Sequence, residues 1–345
     1  MMPPKLYFLV PIVVLIYLLL PFHGGEPHSV LAEDMPGVGI SLSVDNAVIS
    51  LRKEDGSFED VGRIEGDQEY VEMMWKLSSR DAKHPSPPYD TMEELWKDWP
   101  RQLRRRTRKA LGLPASADVG LLSNMLKQLL DLPTDTPGLV LRELPVVISF
   151  PAMYGLSQED IVDAASYLGV KTLYGQHIYQ PRNMVAAFAG HGRGLCETYQ
   201  DKEACRQEGL QMPVHETLFV EYTNNALLLN AQIMREAHDL GSHDTSVYAD
   251  FSLGSQQRDG GDELPEAILL FLQRYYGTAS PAPRKMLAII TGQDVGDEIV
   301  EAVKRAVQAF EFELDLLVSE PEYVTARGAA ELAWRSLKLC ESSEL

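Results

Sequence analysis

The sequence predicts an α/β fold of two similar lobes, each built on a mixed β-sheet, and two stretches carry this prediction. Residues 37–51 (GVGISLSVDNAVISL) alternate apolar with small or polar side chains around the turn 43–46, a pattern typical of a β-hairpin. Residues 217–233 (TLFVEYTNNALLLNAQI) repeat this plan around the turn 223–225. Two hairpins with turns of similar chemistry indicate two lobes, and we expect a ligand to lie at the turns.

The segments between and after the hairpins predict further helices and strands. The first group comprises a strand at 58–64, helices at 69–78, from Thr91 through Trp99, at 101–111 and at 119–130, a strand at 144–151, a helix at 157–167 and a strand at 170–173. The second group comprises a helix at 264–276, a strand at 286–290, a helix at 297–310 and a strand at 313–318. Residues 144–173 therefore predict a strand–helix–strand crossover.

Length and charge limit the class of protein. With 345 residues, 45% hydrophobic and 23% charged, the chain fits one two-lobed domain or two domains. Its 50 acidic residues outnumber its 31 basic residues, for a net charge of −19. Such a surface would repel a phosphate backbone, so we expect no nucleic-acid partner. For the basic run at 101–109 (RQLRRRTRK) we expect a solvated helix face in preference to an anion-binding site.

Residues 1–32 are predicted to direct the chain into the secretory pathway. The run 6–22 (LYFLVPIVVLIYLLLPF) is apolar or proline throughout and follows Lys5. It fits either the core of a signal peptide or a short membrane anchor. We therefore expect a domain that is either secreted or held by a single span, on the lumenal or extracellular side, with no other contact to the membrane.

The cysteines agree with an oxidising compartment. Cys196 and Cys205 lie nine residues apart, a spacing that can close a short loop. We expect a disulfide between them, with Cys340 left over. Three free thiols are the alternative.

Several of these stretches together resemble the actin-like ATPase superfamily, and within it the nucleotide-binding domain of the seventy-kilodalton heat-shock chaperones. That family holds phosphate between two hairpins, whose counterparts here are 40–47 (ISLSVDNA) and 221–226 (EYTNNA). Three more motifs follow the family's order, at 179–187 (YQPRNMVAA), 289–293 (IITGQ) and 320–330 (EPEYVTARGAA). In the last, glycine and alanines would let the closing helix pack tightly at the lobe junction.

The resemblance covers about residues 37–339 and implies a fold and a domain division. The fold is the two-lobed, ribonuclease-H-like fold with duplicated mixed sheets and a central cleft. Lobe I would span residues 33–213. Lobe II would span 214–345, with the final helix returning to the junction.

The resemblance also places the candidate ligand residues at the cleft. They are Asp45, Asn46, Glu221, Thr223, Asn224, Asn225, Gly292 and Gln293. Most residues that the family uses for nucleotide are replaced, with Ser41 for an aspartate, Ser43 for a glycine and Gln180 for a glutamate. Only Glu221 keeps a carboxylate in a family position. Asp45 would put a negative charge where a phosphate should lie, a repulsion of about 1 to 4 kcal/mol at about 4 Å.

We therefore expect a degenerate, heat-shock-like pseudo-ATPase that works as a binding or scaffold protein, with no cofactor, metal or catalytic residue. Its partner would be a protein or a small ligand that the sequence does not name. The main alternative is a divergent, active ATPase that binds ATP and Mg²⁺ and holds a cation with Asp45 and Glu221. A binder of a small ligand or sugar phosphate in the same cleft is a third hypothesis.

Overall fold

The computed structural model describes residues 35–173, 180–237, 247–257, 262–277 and 285–342, and residues 34–345 form one compact unit. The signal or anchor segment predicted at 1–32 lies outside the described residues. Within the described ranges, none of the helices combines the length and apolar character needed to cross a bilayer.

The first sheet has four described strands in the order β3-β2-β1-β4. These are β1 (Gly37–Leu42), β2 (Asn46–Arg52), β3 (Phe58–Glu65) and β4 (Val146–Ser149). Strands β1 to β3 form an antiparallel meander, and β4 lies parallel to β1. The register pairs Leu42 with Ala47, so the predicted turn 43–46 closes the first hairpin.

The second sheet has five described strands in the order β7-β6-β5-β8-β9. These are β5 (His215–Tyr222), β6 (Leu227–Met234), β7 (Val247–Asp250), β8 (Lys285–Thr291) and β9 (Glu313–Leu317). Strands β5 to β7 again form an antiparallel meander, with β8 parallel to β5 and β9 parallel to β8. The second sheet thus repeats the order of the first. The predicted α/β fold with two similar, duplicated mixed sheets is confirmed.

Nine described helices surround the sheets. They are α1 (Gln68–Ser78), α2 (Met92–Ala110), α3 (Ala117–Leu130), α4 (Gln158–Tyr167), α5 (Asn183–Gly190), α6 (Lys202–Gln211), α7 (Glu263–Tyr276), α8 (Asp297–Gln308) and α9 (Val324–Ser342). The prediction of two helices over residues 91–111 is wrong, because α2 continues through Pro100. The strand predicted at 170–173 is reduced to one bridge between Thr172 and Val146.

Helices α5 and α9 pack together at the junction of the two sheets. Side chains of α5, including Met184 and Phe188, share a core with Phe219 of β5 and Ile289 of β8. Helix α9 packs instead on β1, β2 and β4. Each helix therefore packs on the sheet formed by the other half of the chain.

Small residues make this junction possible. A Cβ atom added to Gly328 would overlap the backbone carbonyl of Ala186, and one added to Gly39 would overlap the backbone of Ala326 and Ala330. The close packing predicted for the closing helix is therefore present. Salt bridges of Arg52 with Glu331 (3.0 Å) and of Arg327 with Asp60 (2.5 Å) add to it.

The structure joins Cys196 and Cys205 in a disulfide, with Cα atoms 5.3 Å apart. The bridge links the loop after α5 to helix α6. Cys205 lies in the first turn of that helix, where its N–H donates to Asp201 (2.8 Å). The pairing expected from the spacing is therefore observed, and it pins a short surface segment.

The basic run at 101–109 is not the solvated face that the sequence predicts. Arg105 is only 4% exposed and its guanidinium pairs with Asp160 (2.6 Å) and Asp163 (2.8 Å) of α4. Arg101 pairs with Glu159 of the same helix (2.7 Å). Half of the run is therefore turned toward acidic residues that lie more than fifty positions further along the chain.

Candidate functional site

The turns of the two hairpins meet, and this contact brings most of the candidate residues together. Asp45 Oδ2 accepts hydrogen bonds from the backbone N–H of Asn225 (3.0 Å) and from its side-chain amide (3.1 Å). Asn46 Nδ2 donates to Asp45 Oδ1 (2.8 Å) and to Gln293 Oε1 (3.3 Å). Asp45 and Asn46 are 2% and 4% exposed. A buried carboxylate thus lies between the two turns with its own set of donors.

Both turns close in the same way. The N–H of Ser43 donates to the carbonyl of Asn46 (2.8 Å), and the N–H of Thr223 donates to the carbonyl of Ala226 (3.0 Å). Thr223 Oγ1 also accepts from the N–H groups of Asn225 (3.3 Å) and Ala226 (3.2 Å). Polar side chains of this kind stabilise turns by bonding to backbone groups a few residues away. Thr223 is therefore a turn-forming residue and does not face an open cleft.

Glu221 is the second buried carboxyl group of the site. Ser43 Oγ donates to its Oε1, and Asn183 Nδ2 donates to its Oε2 (3.1 Å). Burial first and the nearby charge of Asp45 second raise the pKa of Glu221 to about 7, against the lowering effect of the two donors. The carboxyl group is therefore partly protonated at neutral pH.

A cavity of about 10 Å³ lies beside Glu221, with Asn230 as its other polar lining residue. This volume holds about one water molecule. Its remaining lining is largely apolar, from Met184, Phe219 and neighbouring residues. Within the part of the chain that the structure describes, this cavity has no room for a ligand larger than a water molecule.

Three residues of the site were not predicted to belong to it. Tyr70 Oη donates to the carbonyl of Ser43 (2.8 Å), and burial raises its pKa well above the usual value. Asn183 Nδ2 donates to the carbonyl of Leu42 (2.8 Å) as well as to Glu221. Ser43 was noted only as a replaced glycine. Tyr70 lies on the apolar stripe of α1, so the sequence pattern predicts a core residue and gives no sign that its hydroxyl reaches the site. Asn183 begins α5 inside the motif 179–187, and this position could have indicated a site residue.

Gln180 does not take part in the site. It is fully buried, and its side-chain oxygen accepts from the N–H of Ile148 in β4 (2.6 Å). Its amide nitrogen has no hydrogen-bond partner among the described residues. Gln180 therefore supports the first sheet through its side-chain oxygen.

The remaining candidates support the second turn from outside. The segment after β7 covers this turn, because the N–H groups of Ser255 and Gln256 donate to the carbonyls of Thr223 (3.0 Å) and Asn224 (3.1 Å). Asn224 also accepts from Ser255 Oγ (3.2 Å). Gly292 has a φ of +124°, and a Cβ atom there would overlap the carbonyl of Tyr222. Asn224 and Gly292 thus fix the hairpin, whereas Asp45, Asn46, Asn225 and Gln293 meet across the site.

The residues present do not fit a nucleotide with its metal. Among the described residues, no group of three His, Cys, Asp or Glu side chains could hold a metal ion. Both oxygens of Glu221 already accept hydrogen bonds, and the N–H of Asn225 already donates to Asp45. Phosphate cradles need several free backbone N–H groups and a counter-ion. The polar groups of the two hairpin turns are therefore bonded to other side chains of the chain itself.

No family model and no curated protein matches the sequence. Similar solved structures include the inorganic polyphosphate/ATP-glucomannokinase from Arthrobacter sp. strain KM, which is 12% identical in sequence. The match covers 88% of this chain and 100% of the glucomannokinase chain, with a TM-score of 0.42. Another is the ethanolamine utilization protein EutJ from Carboxydothermus hydrogenoformans, which is 10% identical. That match covers 89% of this chain and 92% of the EutJ chain, with a TM-score of 0.37. At this level of similarity, neither ligand nor reaction passes from these proteins to this chain.

Proposed function

We propose that the chain is a degenerate, heat-shock-like pseudo-ATPase, and that it acts as a binding or scaffold protein in the secretory pathway. The contact between Asp45 and Asn225 carries this proposal. In a nucleotide site, the N–H groups of such a turn would hold a phosphate oxygen. Here a carboxylate of the first hairpin takes the N–H of the second, so Asp45 acts as a built-in anion.

Displacing this anion would be costly. Asp45 accepts hydrogen bonds from Asn225 N, Asn225 Nδ2 and Asn46 Nδ2. Hydrogen bonds to a charged group contribute roughly 1.5 to 3 kcal/mol each. An entering phosphate would have to break these bonds and would then face the freed carboxylate. The site therefore disfavours nucleotide and sugar phosphate alike.

The same contacts support a scaffold role. Bonds of Ser43 with Glu221 and of Asp45 with Asn225 join the two hairpins directly, and the bond of Asn46 with Gln293 joins the first hairpin to the turn after β8. None of these bonds needs a ligand, so the hairpins stay joined without nucleotide. A fixed two-lobed body suits a platform for a protein or small-ligand partner better than a machine that opens and closes with ATP.

A divergent, active ATPase is the alternative, with Asp45 and Glu221 holding a cation. The contacts of Glu221 argue against this alternative, because both of its carboxyl oxygens already accept hydrogen bonds, from Ser43 and from Asn183. A cation would have to displace these donors, and Mg²⁺ prefers several freely accessible oxygen ligands. Asp45 alone would leave such a cation with one protein carboxylate.

The test is a variant that carries the residues of the heat-shock family at three positions of the first hairpin. Ser41→Asp, Ser43→Gly and Asp45→Thr are introduced together, and the triple variant is compared with the unmodified chain by calorimetric titration with ATP and Mg²⁺. We expect binding by the triple variant alone, because removal of Asp45 frees the N–H of Asn225. Ser41→Asp alone, which keeps Asp45, is the matched control and should not bind. Equal micromolar binding by the unmodified chain would contradict the proposal.

Two features support the secretory pathway. The disulfide is typical of an oxidising compartment, since cytosolic thiols are kept reduced. The apolar run 6–22 of the sequence fits translocation. In intact microsomes the domain should resist added protease until detergent opens the vesicles. Digestion without detergent would place the domain on the cytosolic side and contradict this part of the proposal.

A further inference from the structure

Helix α2 (Met92–Ala110) is turned with its polar side inward. Asp98 and Arg105 are buried, and Arg105 pairs with Asp160 and Asp163 of α4. Arg101 bonds to Asp98 (2.9 Å) and to Glu159 (2.7 Å). Surface helices of globular proteins ordinarily bury their apolar side. In α2 the buried side is instead the charged one.

The opposite side of α2 presents an apolar stripe to solvent. Its members are Met92, Trp96, Trp99 and Leu103, which are 66%, 64%, 37% and 46% exposed. Their spacing of four, three and four residues places them along one side of the helix. The two tryptophan rings lie 6.1 Å apart between centroids. Exposed apolar side chains that are grouped in this way mark an interaction surface.

The ion-pair network fixes this orientation. Turning α2 to bury the tryptophans would separate Arg101 and Arg105 from the carboxylates of α4, leaving buried charges unpaired. Lys109 Nζ adds a further bond to Asp163 (2.8 Å). An unpaired buried charge is strongly destabilising. The stripe is therefore held toward the outside by the same residues that join α2 to the domain.

We propose that the stripe of α2 lies on the surface of a lipid bilayer. Tryptophan is enriched where the headgroups meet the acyl chains, and an apolar stripe on an otherwise polar helix is typical of helices that lie in this plane. At 100° per residue, the four members of the stripe fall within about 60° of one another, so all four can meet one surface at once.

A lipid surface fits better than a protein partner because the sequence itself directs the chain to a membrane. The apolar run 6–22 enters or crosses a bilayer during translocation and remains there if it is an anchor. Residues 23–36 can then span at most about 50 Å to the first strand. This reach keeps every face of the domain close enough to touch the bilayer. The proposal does not depend on the cleft or on nucleotide.

The test uses the full chain reconstituted in vesicles of phosphatidylcholine whose acyl chains carry bromine. Bromine quenches tryptophan that enters the headgroup boundary. The emission of the Trp96→Phe/Trp99→Phe variant is subtracted, so that the signal of these two rings is isolated. We expect the quenching of this signal to be at least about threefold stronger in the parent chain than in the Leu103→Glu variant, because a charge at the stripe opposes insertion.

The controls make each outcome decisive. Leu210→Glu replaces a similarly exposed leucine on α6 and should leave the quenching unchanged. Equal quenching of the parent and Leu103→Glu overturns the proposal. Cross-linking of a Leu103→Cys chain to a second copy, in solution without vesicles, also overturns it and assigns the stripe to a protein contact.

Discussion

The buried carboxyl group of Glu221 predicts a particular dependence of stability on pH. Burial raises its pKa from 4.5 to about 7 in the folded chain. Between these two values the folded chain binds more protons than the unfolded chain, so the free energy of unfolding falls as the pH rises. This contribution to stability is fully present below a pH of about 4.5. It is lost by the time the pH exceeds about 7.

The size of the effect follows from the two values. Each tenfold difference in proton affinity is worth about 1.4 kcal/mol, so the change from 4.5 to about 7 amounts to about 3 kcal/mol. Glu221 is 4% exposed, so solvent screening reduces this figure little. Glu221→Gln removes the titration while it keeps the shape of the side chain. Relative to the parent, this variant should gain about 2 to 3 kcal/mol between about pH 5 and about pH 8.

Urea unfolding at several pH values measures this difference directly, provided that both chains unfold with the same slope. Burial also lowers the pKa of His191 and His215, but both histidines are present in both chains and their contributions cancel. Parallel pH profiles for the parent and Glu221→Gln would refute the reasoning. They would mean that Glu221 ionises as it does in water, and hence that solvent or a cation reaches it.

Three further changes test the packing around the site by urea unfolding. Arg105→Ala should cost about 3 to 5 kcal/mol, because it leaves the buried Asp160 without its counter-ion and Asp163 with Lys109 alone, whereas Arg104→Ala on the exposed side should change stability by less than about 0.5 kcal/mol. Gly328→Ala should cost about 2 kcal/mol or more through overlap at the helix junction, and Gly296→Ala, which has open space around it, should cost less than about 1 kcal/mol. Replacing both cysteines of the disulfide by serine should cost about 2 to 3 kcal/mol and leave the near-ultraviolet circular dichroism of the core unchanged. Equal effects within either pair, or loss of the core signal in the serine variant, would contradict these expectations.

The hairpins could be predicted because their signals are local. Alternation of side chains fixes a strand, and the polar residues of 43–46 and 223–225 fix the turns, all within a few positions of each other. The close approach at Gly328 was likewise readable, since glycine among alanines has a direct steric meaning. These local rules located the two hairpins and indicated two similar lobes, but they did not predict strand β7 or the order of the strands in each sheet.

The pairs that define the site were not readable in the same way. Ser43 and Glu221 are 178 positions apart, and Asp45 and Asn225 are 180 apart. The sequence marked Asp45 as an obstacle to phosphate but gave no sign that Asn225 and Asn46 would satisfy its charge. Such pairs depend on how the two sheets are brought together, which no short pattern encodes.

The orientation of α2 was predicted wrongly for a related reason. The basic run at 101–109 was judged by its own residues, which favour a solvated face. Its acidic partners lie on α4, and the charge of one helix does not reveal the charge of the helix packed against it. The exposed tryptophans of α2 were therefore unexpected.

The central claim is that side chains of the chain itself fill the phosphate site. Calorimetric titration of the unmodified protein with ATP and Mg²⁺ tests this claim most directly. We predict no binding at millimolar ATP, because Asp45 holds the N–H of Asn225 and Glu221 is shared between Ser43 and Asn183. Saturable binding with micromolar affinity would contradict the account.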